Sequence, residues 1–279
     1  MAYTIMMPTD FGASAKNATR YALAFTHQQA AALDLEYVLL HIYELSTGMA
    51  GEGVALASVN EDYAHAEREL EAELDWIKAH YPQLKVRSLL VPGNIHEELV
   101  SLVDTGKEVM VFMGAAGRYD DLLSWDNEII NSLRHLKAPV LLVPPHVTFK
   151  PLQNVGYACN YKNITPGMPF ADILETVKLA PGAQLKVVYV DTPVLDDHIE
   201  EEKGEALIRE ALAPASPAYY RIQDSHVIDA IAQFVEDEKI DLMIMVPRRH
   251  GIWNSLFSRS NTKGLARLNK LPILALREQ

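Results

Sequence analysis

GKEVMVFMGAAG, residues 106 to 117, sets an apolar run directly before two glycines. Val109 to Met113 is too short for a buried helix and reads as a strand covered on both faces. Gly114 and Gly117 then mark a strand-to-helix loop, the setting in which backbone N–H groups receive an anion. The acids that follow, Asp120, Asp121, Asp126 and Glu128, oppose a phosphate there. A near copy lies further on: EKIDLMIMV (238–246) matches GKEVMVFM (106–113), and KGLARLNKLPILAL (263–276) matches NSLRHLKAPVLLV (131–143). A duplication explains both matches.

Outward from this stretch, short apolar runs alternate with helical patterns, the mark of a parallel sheet covered by helices. The first-half strand candidates are 3–8, 35–43, 84–91, 108–113 and 139–144, with helix candidates at about 14–31, 57–80, 95–106 and 126–136. The second half repeats the series with strands at 152–158, 183–190, 218–222, 241–246 and 272–276. The fold class is α/β: two tandem doubly wound five-stranded parallel sheets with helices on both faces. PPHVTFKPLQN, rich in proline and without periodicity, is the linker at about 144–152 and separates domains 1–147 and 148–279. In such folds sites lie at the carboxyl ends of strands where the sheet order reverses, which places PTDF (8–11) and GAAG (114–117) at one edge. The helix at 57–80 carries many charges over a stripe of Leu70, Leu74 and Ile77, and reads as a solvated outer element that asks for no ligand.

Apolar residues make up 49% of the chain and charged ones 22%, the balance of a soluble folded protein. A formal charge of −12 argues against general affinity for nucleic acid or for a membrane surface. No apolar run is long enough to span a bilayer and the N-terminus lacks an export pattern, so the expected location is cytoplasmic. One cysteine, Cys159, excludes an internal disulfide. The histidines show no paired metal-ligand spacing and no serine sits in a nucleophile elbow, so neither a metal site nor a catalytic residue is expected.

PTDFGASAKNATRYAL (8–23) puts Asp10 at a strand end, serving loop amides or a ligand, and makes Ser14 the N-cap candidate of the next helix. It lacks the Ser-Gly-Gly-x-Asp-Ser loop of ATP pyrophosphatases. His41, within a strand, reads as a hydrogen-bonded core residue in preference to a ligand. Together with VLLHIYE (38–44), GNIHEELV (93–100) and MGAAG (113–117), PTDF resembles the universal stress protein family, the four motifs standing in the family's order. The resemblance covers nearly the whole chain as two copies. It implies a Rossmann-like fold, adenine nucleotide alpha-hydrolase-like, in a stress-response protein. Some members bind ATP through Gly-x2-Gly-x9-Gly-Ser/Thr, and others lack this pattern and bind none.

By that resemblance, a nucleotide site in the first copy takes Thr9 and Asp10 near ribose or adenine and the backbone of His41 and Ile42 against the base. Met113, Gly114, Gly117, Asp126 and Asn127 would follow the phosphates, the glycines allowing close approach. The pattern fails at its end, where Asn127 and Glu128, or Asp126 and Asn127 with one residue deleted, replace glycine and Ser/Thr. Two like charges about 4 Å apart cost about 1 kcal/mol in water and more where solvent is poor, against about 0.3–1 kcal/mol gained at a helix N-terminus. The expectation is a degenerate site with weak or absent affinity for ATP, ADP or AMP, unless Mg²⁺ held by Asp120, Asp121 or Asp126 bridges the charges.

In the second copy YACNYKN (157–163) replaces PTDF, with Asn160 for the acid and Cys159 for the threonine. Val246, Arg249, Arg259 and Ser260 take the pattern's glycine and serine positions, so this copy has no nucleotide site or an altered anion site built from Arg248, Arg249, Arg259 and Ser260. A partner patch and scattered surface charge are the alternatives for this basic stretch. Trp125, Trp253 and Phe257 lie in corresponding loops of the two copies, as ligand cover, interface or core. In the resembled family single-domain proteins pair through the last strand, which implies that 139–144 and 272–276 meet within the chain as a pseudo-dimer, a further homodimer being left open. The functional expectation is a non-catalytic binder of a small ligand, such as an adenine nucleotide, or of an unknown protein partner. The alternatives are a weak Mg-dependent ATP-hydrolysing or phosphotransfer enzyme and a pure structural scaffold.

Overall fold

The computed structural model describes residues 3–43, 52–103, 108–115, 136–162, 164–192, 198–246, 268 and 270–278. Its strands are β1 (Tyr3–Pro8), β2 (Leu35–Tyr43), β3 (Lys85–Pro92), β4 (Val109–Gly114) and β5 (Val140–Val143), then β6 (Asn154–Cys159), β7 (Gln184–Asp191), β8 (Ala218–Gln223), β9 (Leu242–Met245) and β10 (Ile273–Ala275). They form one sheet in the order β3-β2-β1-β4-β5-β10-β9-β6-β7-β8. Each half therefore has the same strand order, and the halves meet at their last strands. That junction alone is antiparallel, with Ile273 opposite Leu142, Leu274 opposite Leu141 and Ala275 opposite Val140. All other neighbours run parallel.

The described α-helices are α1 (Ala13–Thr26), α2 (Glu52–His80), α3 (Ile95–Val103), α4 (Phe170–Lys178), α5 (His198–Leu212) and α6 (Val227–Asp237). Their apolar stripes cover both faces of the sheet. Along β1, Ile5 and Met7 enter one core layer with Ala18 and Ala22 of α1, Leu70 and Ile77 of α2, Ile173 of α4 and Ile208 of α5. Met6, with Val38 and Leu40 of β2, enters the other with Leu99 of α3 and Ile231 of α6. Central strands are thus apolar at successive positions, because each alternate side chain meets a helix layer. No described helix is long and apolar enough to cross a membrane.

Two expectations change. The first α-helix ends at Thr26 and passes into a 3-10 turn over His27–Gln29, short of residue 31, with the His27 ring nitrogen donating to the last carbonyls, Leu23 O and Ala24 O, at 3.0 Å. The proline-rich linker is docked: Phe149 packs on Tyr21 and Phe25 with centroids 5.4 and 5.6 Å apart, and the Asn17 amide donates to Pro144 O and Val147 O, each at 3.0 Å. The helix candidate at 126–136 lies, up to residue 135, outside the described residues.

Candidate functional site

The first half turns its strand order between β1 and β4, since β2 lies on one side of β1 and β4 on the other. At the carboxyl end of β1 the Thr9 amide still pairs with Leu40 O at 2.8 Å, and the chain then leaves the sheet. Asp10 shapes that exit by accepting from the Gly12 amide through Oδ1 at 2.8 Å. Its side chain is exposed, and its second oxygen makes no hydrogen bond among the described residues.

Gly12, not Ser14, is the N-cap of α1, and it makes no side-chain cap bond. Ser14 is diverted because its hydroxyl donates to Ala115 O at 2.6 Å, tying α1 to the end of β4. That tie accounts for the bare Gly114: a Cβ there would stand 2.6 Å from both the carbonyl carbon and the oxygen of Ser14. The close approach at Gly114 is one of helix to strand.

His41, in β2, is bound into the same turn. Its Nδ1 donates to Thr9 O at 2.6 Å, and since a carbonyl only accepts, Nδ1 carries the proton. The ring lies on Phe11, centroids 4.4 Å apart. Phe11 itself has φ 65°, the left-handed region that a bulky residue seldom adopts. The side chains of Met113 and Ile42 belong to the core layer under α3, so these two residues bring backbone to the crevice. The structure thus gathers Thr9, Asp10 and His41 around one turn, with Gly114 against Ser14 in the helix that follows. Gly117, Asp126 and Asn127 lie outside the described residues, as do Asp120, Asp121, Glu128 and Trp125.

The sequence reading missed Glu73. It is 8% exposed on the inner side of α2 and accepts from Thr9 Oγ1 at 3.3 Å. Burial raises its carboxyl above the ordinary range, while Thr9, Lys16, Thr19 and Arg20 pull it back down. The helix is solvated on its outside but carries this acid within. The available signal was spacing: Glu73 stands three residues after buried Leu70 and four before buried Ile77.

The corresponding place in the second half holds the protein's own side chains. Asn160 Oδ1 accepts from the Lys162 amide at 3.0 Å, reproducing the Asp10 turn. Tyr161 lies on Tyr189 with centroids 4.3 Å apart, as Phe11 lies on His41. Glu201, 5% exposed, accepts from Tyr189 at 2.8 Å and from Arg221 at 2.8 Å, and pairs with Lys162 at 3.3 Å. Burial would raise the Glu201 carboxyl, but these three partners outweigh it and hold the group below its ordinary value. Helix α5 approaches so closely that a Cβ on Gly204 would meet Tyr161 O at 1.8 Å. Cys159 is buried and its thiol is pushed up by that burial, which leaves it unreactive. Arg248, Arg249, Arg259 and Ser260, with Trp253 and Phe257, lie outside the described residues. Among the described residues no group of three His, Cys, Asp or Glu could hold a metal ion.

Residues 1–144 match the universal stress protein family. No curated protein matches the sequence. Among solved structures, a universal stress protein from Archaeoglobus fulgidus DSM 4304 is 14% identical, covering 99% of this chain and 96% of its own at a TM-score of 0.69. A functionally unknown protein from Pseudomonas aeruginosa PAO1 is also 14% identical, covering 99% of this chain and 92% of its own at a TM-score of 0.56. Both share the fold along the whole chain. A universal stress protein in complex with cAMP is 22% identical and covers 50% of this chain and 96% of its own, at a TM-score of 0.36.

Proposed function

Since the chain belongs to the universal stress protein family, we propose that it acts by binding and not by catalysis, with one ligand position per chain in the crevice between β1 and β4. The observation that carries this reading is the Asp10 carboxylate, exposed at a topological switch point with one oxygen committed to the Gly12 amide and the other unbonded among the described residues. An acid so placed suits the donors of a ligand, such as ribose hydroxyls or an exocyclic amine, and repels a phosphate. The ligand class is an adenine nucleotide held by its nucleoside end, the backbone of His41 and Ile42 lying against the base. The phosphate end is weakened by Asp126 and Asn127, which replace the glycine and hydroxyl of the family's pattern. The ranking that follows is AMP over ATP in the absence of metal.

The chain consists of two copies of the family domain, divided near residues 147 and 148. Their shared strand order supports this, as do the paired turns at Asp10 and Asn160 and the ring pairs Phe11–His41 and Tyr161–Tyr189. The second copy is a scaffold, because its cations Lys162 and Arg221 are already neutralised by Glu201 and Asp191. Calorimetric titration with AMP, ADP and ATP, with and without Mg²⁺, tests the proposal. Saturable AMP binding that weakens at least tenfold in Asp10→Ala is the expected result. Equal AMP affinity in that variant, or micromolar ATP binding without metal, would count against it.

A further inference from the structure

Beneath the Asp10 turn, Glu73 presents a buried carboxylate whose hydrogen bond among the described residues goes to Thr9. Among the described residues its other oxygen, Oε1, and the hydroxyl of Thr19 are buried and geometrically unpaired, although Thr19 stands near enough to favour the charged carboxyl. Both line a pocket of about 190 Å³ between α1 and α2, with Lys16, Arg20, Glu69 and Trp76 around it. An acid in this place is desolvated by burial more than Thr9, Thr19 and the nearby cations Lys16 and Arg20 compensate, and an apolar side chain would avoid that cost. What the carboxylate secures is the direction of one hydroxyl. The Phe11 amide donates to Thr9 Oγ1 at 3.0 Å, which requires the hydroxyl hydrogen to point elsewhere, and it points to Glu73 Oε2. The relay runs from Phe11 N–H to Thr9 O–H to Glu73, and it holds Phe11 in its left-handed conformation over His41.

The second half serves as an internal control. There Cys159 stands for Thr9, and its thiol turns to Val188 O at 3.4 Å. The Asn160 turn persists, yet Tyr161 is not among the described residues with positive φ. Left-handed backbone at this place accompanies the hydroxyl and carboxylate pair and not the turn itself.

We infer that Glu73 is a positioning residue: acting through Thr9 it sets the Thr9–Gly12 turn, and with it Asp10, in the shape that receives the ligand, without touching the ligand. The inference rests on the crevice being a ligand site, as proposed above.

The test compares Glu73→Met, Glu73→Gln and Thr9→Val in the full chain, by hydrogen exchange at the Phe11 amide, by AMP titration and by thermal unfolding. In Glu73→Met the Phe11 amide exchanges at least tenfold faster and AMP affinity falls at least tenfold, while the midpoint of unfolding holds or rises. A merely structural residue would lower that midpoint instead. Glu73→Gln keeps an oxygen for Thr9 to donate to and stays within twofold of the wild type in both readouts. In a Thr9→Val background, Glu73→Met adds less than twofold. Unchanged Phe11 exchange in Glu73→Met, or a full tenfold effect persisting in the Thr9→Val background, overturns the inference. Should Glu73→Met fail to fold, Glu73→Leu takes its place under the same criteria. A wild-type chain that takes no AMP overturns the proposed function instead, and the exchange readout then decides the positioning claim by itself.

Discussion

Phe11 holds a conformation that costs a bulky residue about 1–2 kcal/mol, and three contacts keep it there: its own amide on Thr9, the Thr9 hydroxyl on Glu73, and its ring on His41. Glu73 makes this arrangement sensitive to pH. The groups facing it are Thr9 from the end of β1 and Lys16, Thr19 and Arg20 from α1, with burial the largest influence and upward in sign. The folded state therefore binds the proton more tightly than the unfolded chain does. This contribution to stability is fully present below the ordinary glutamate value of 4.5 and is lost as pH rises through the folded value. Glu73→Gln, which does not titrate, is expected to gain stability relative to the wild type between pH 4 and 8 in urea unfolding; a constant difference would contradict it. Gly114→Ala is expected to cost about 1–3 kcal/mol by forcing a Cβ against Ser14, and a loss below about 0.5 kcal/mol would show that the helix gives way. At this scale the sequence was half legible. Asp10 could be recognised because acids at strand ends serve loop amides, but Glu73 sits in so acidic a helix that only its spacing to Leu70 and Ile77 marks it as inward.

Among the elements, α5 carries the sharpest constraint. Replacing glycine by alanine inside a helix ordinarily gains about 1 kcal/mol. At Gly204 the added carbon would lie 1.8 Å from Tyr161 O, so Gly204→Ala is expected to lower the thermal midpoint, and a higher one would mean that the helix can lift away. Strands such as Ile5 to Met7 and Val109 to Met113 could be read directly, because burial on both faces makes them apolar throughout. The passage of α1 into its 3-10 turn could not, since it depends on where the His27 ring turns. Nor could the filled crevice of the second half, where Lys162, Glu201 and Arg221 come from three separate segments and meet only when the sheet forms.

Across the whole molecule, the antiparallel pairing of β5 with β10 closes the open edge of each half. Leu141 and Leu274, paired there, are both fully buried. A chain cut after residue 147 would expose that edge and is expected to self-associate in light scattering, a stable monomer being the contrary result. The repeated strand order was legible because EKIDLMIMV and GKEVMVFM mark the same strand in each half. What packs around the second turn was not, because Lys162, Glu201 and Arg221 have no counterpart that the spacing of the first half would reveal. The most direct measurement is an AMP titration of the full chain followed by backbone amide shifts. Binding at the first turn moves residues 9–12, 41–43 and 113–115 and leaves 159–162 and 189–191 in place; shifts in the second group, or in neither, would contradict a ligand position there.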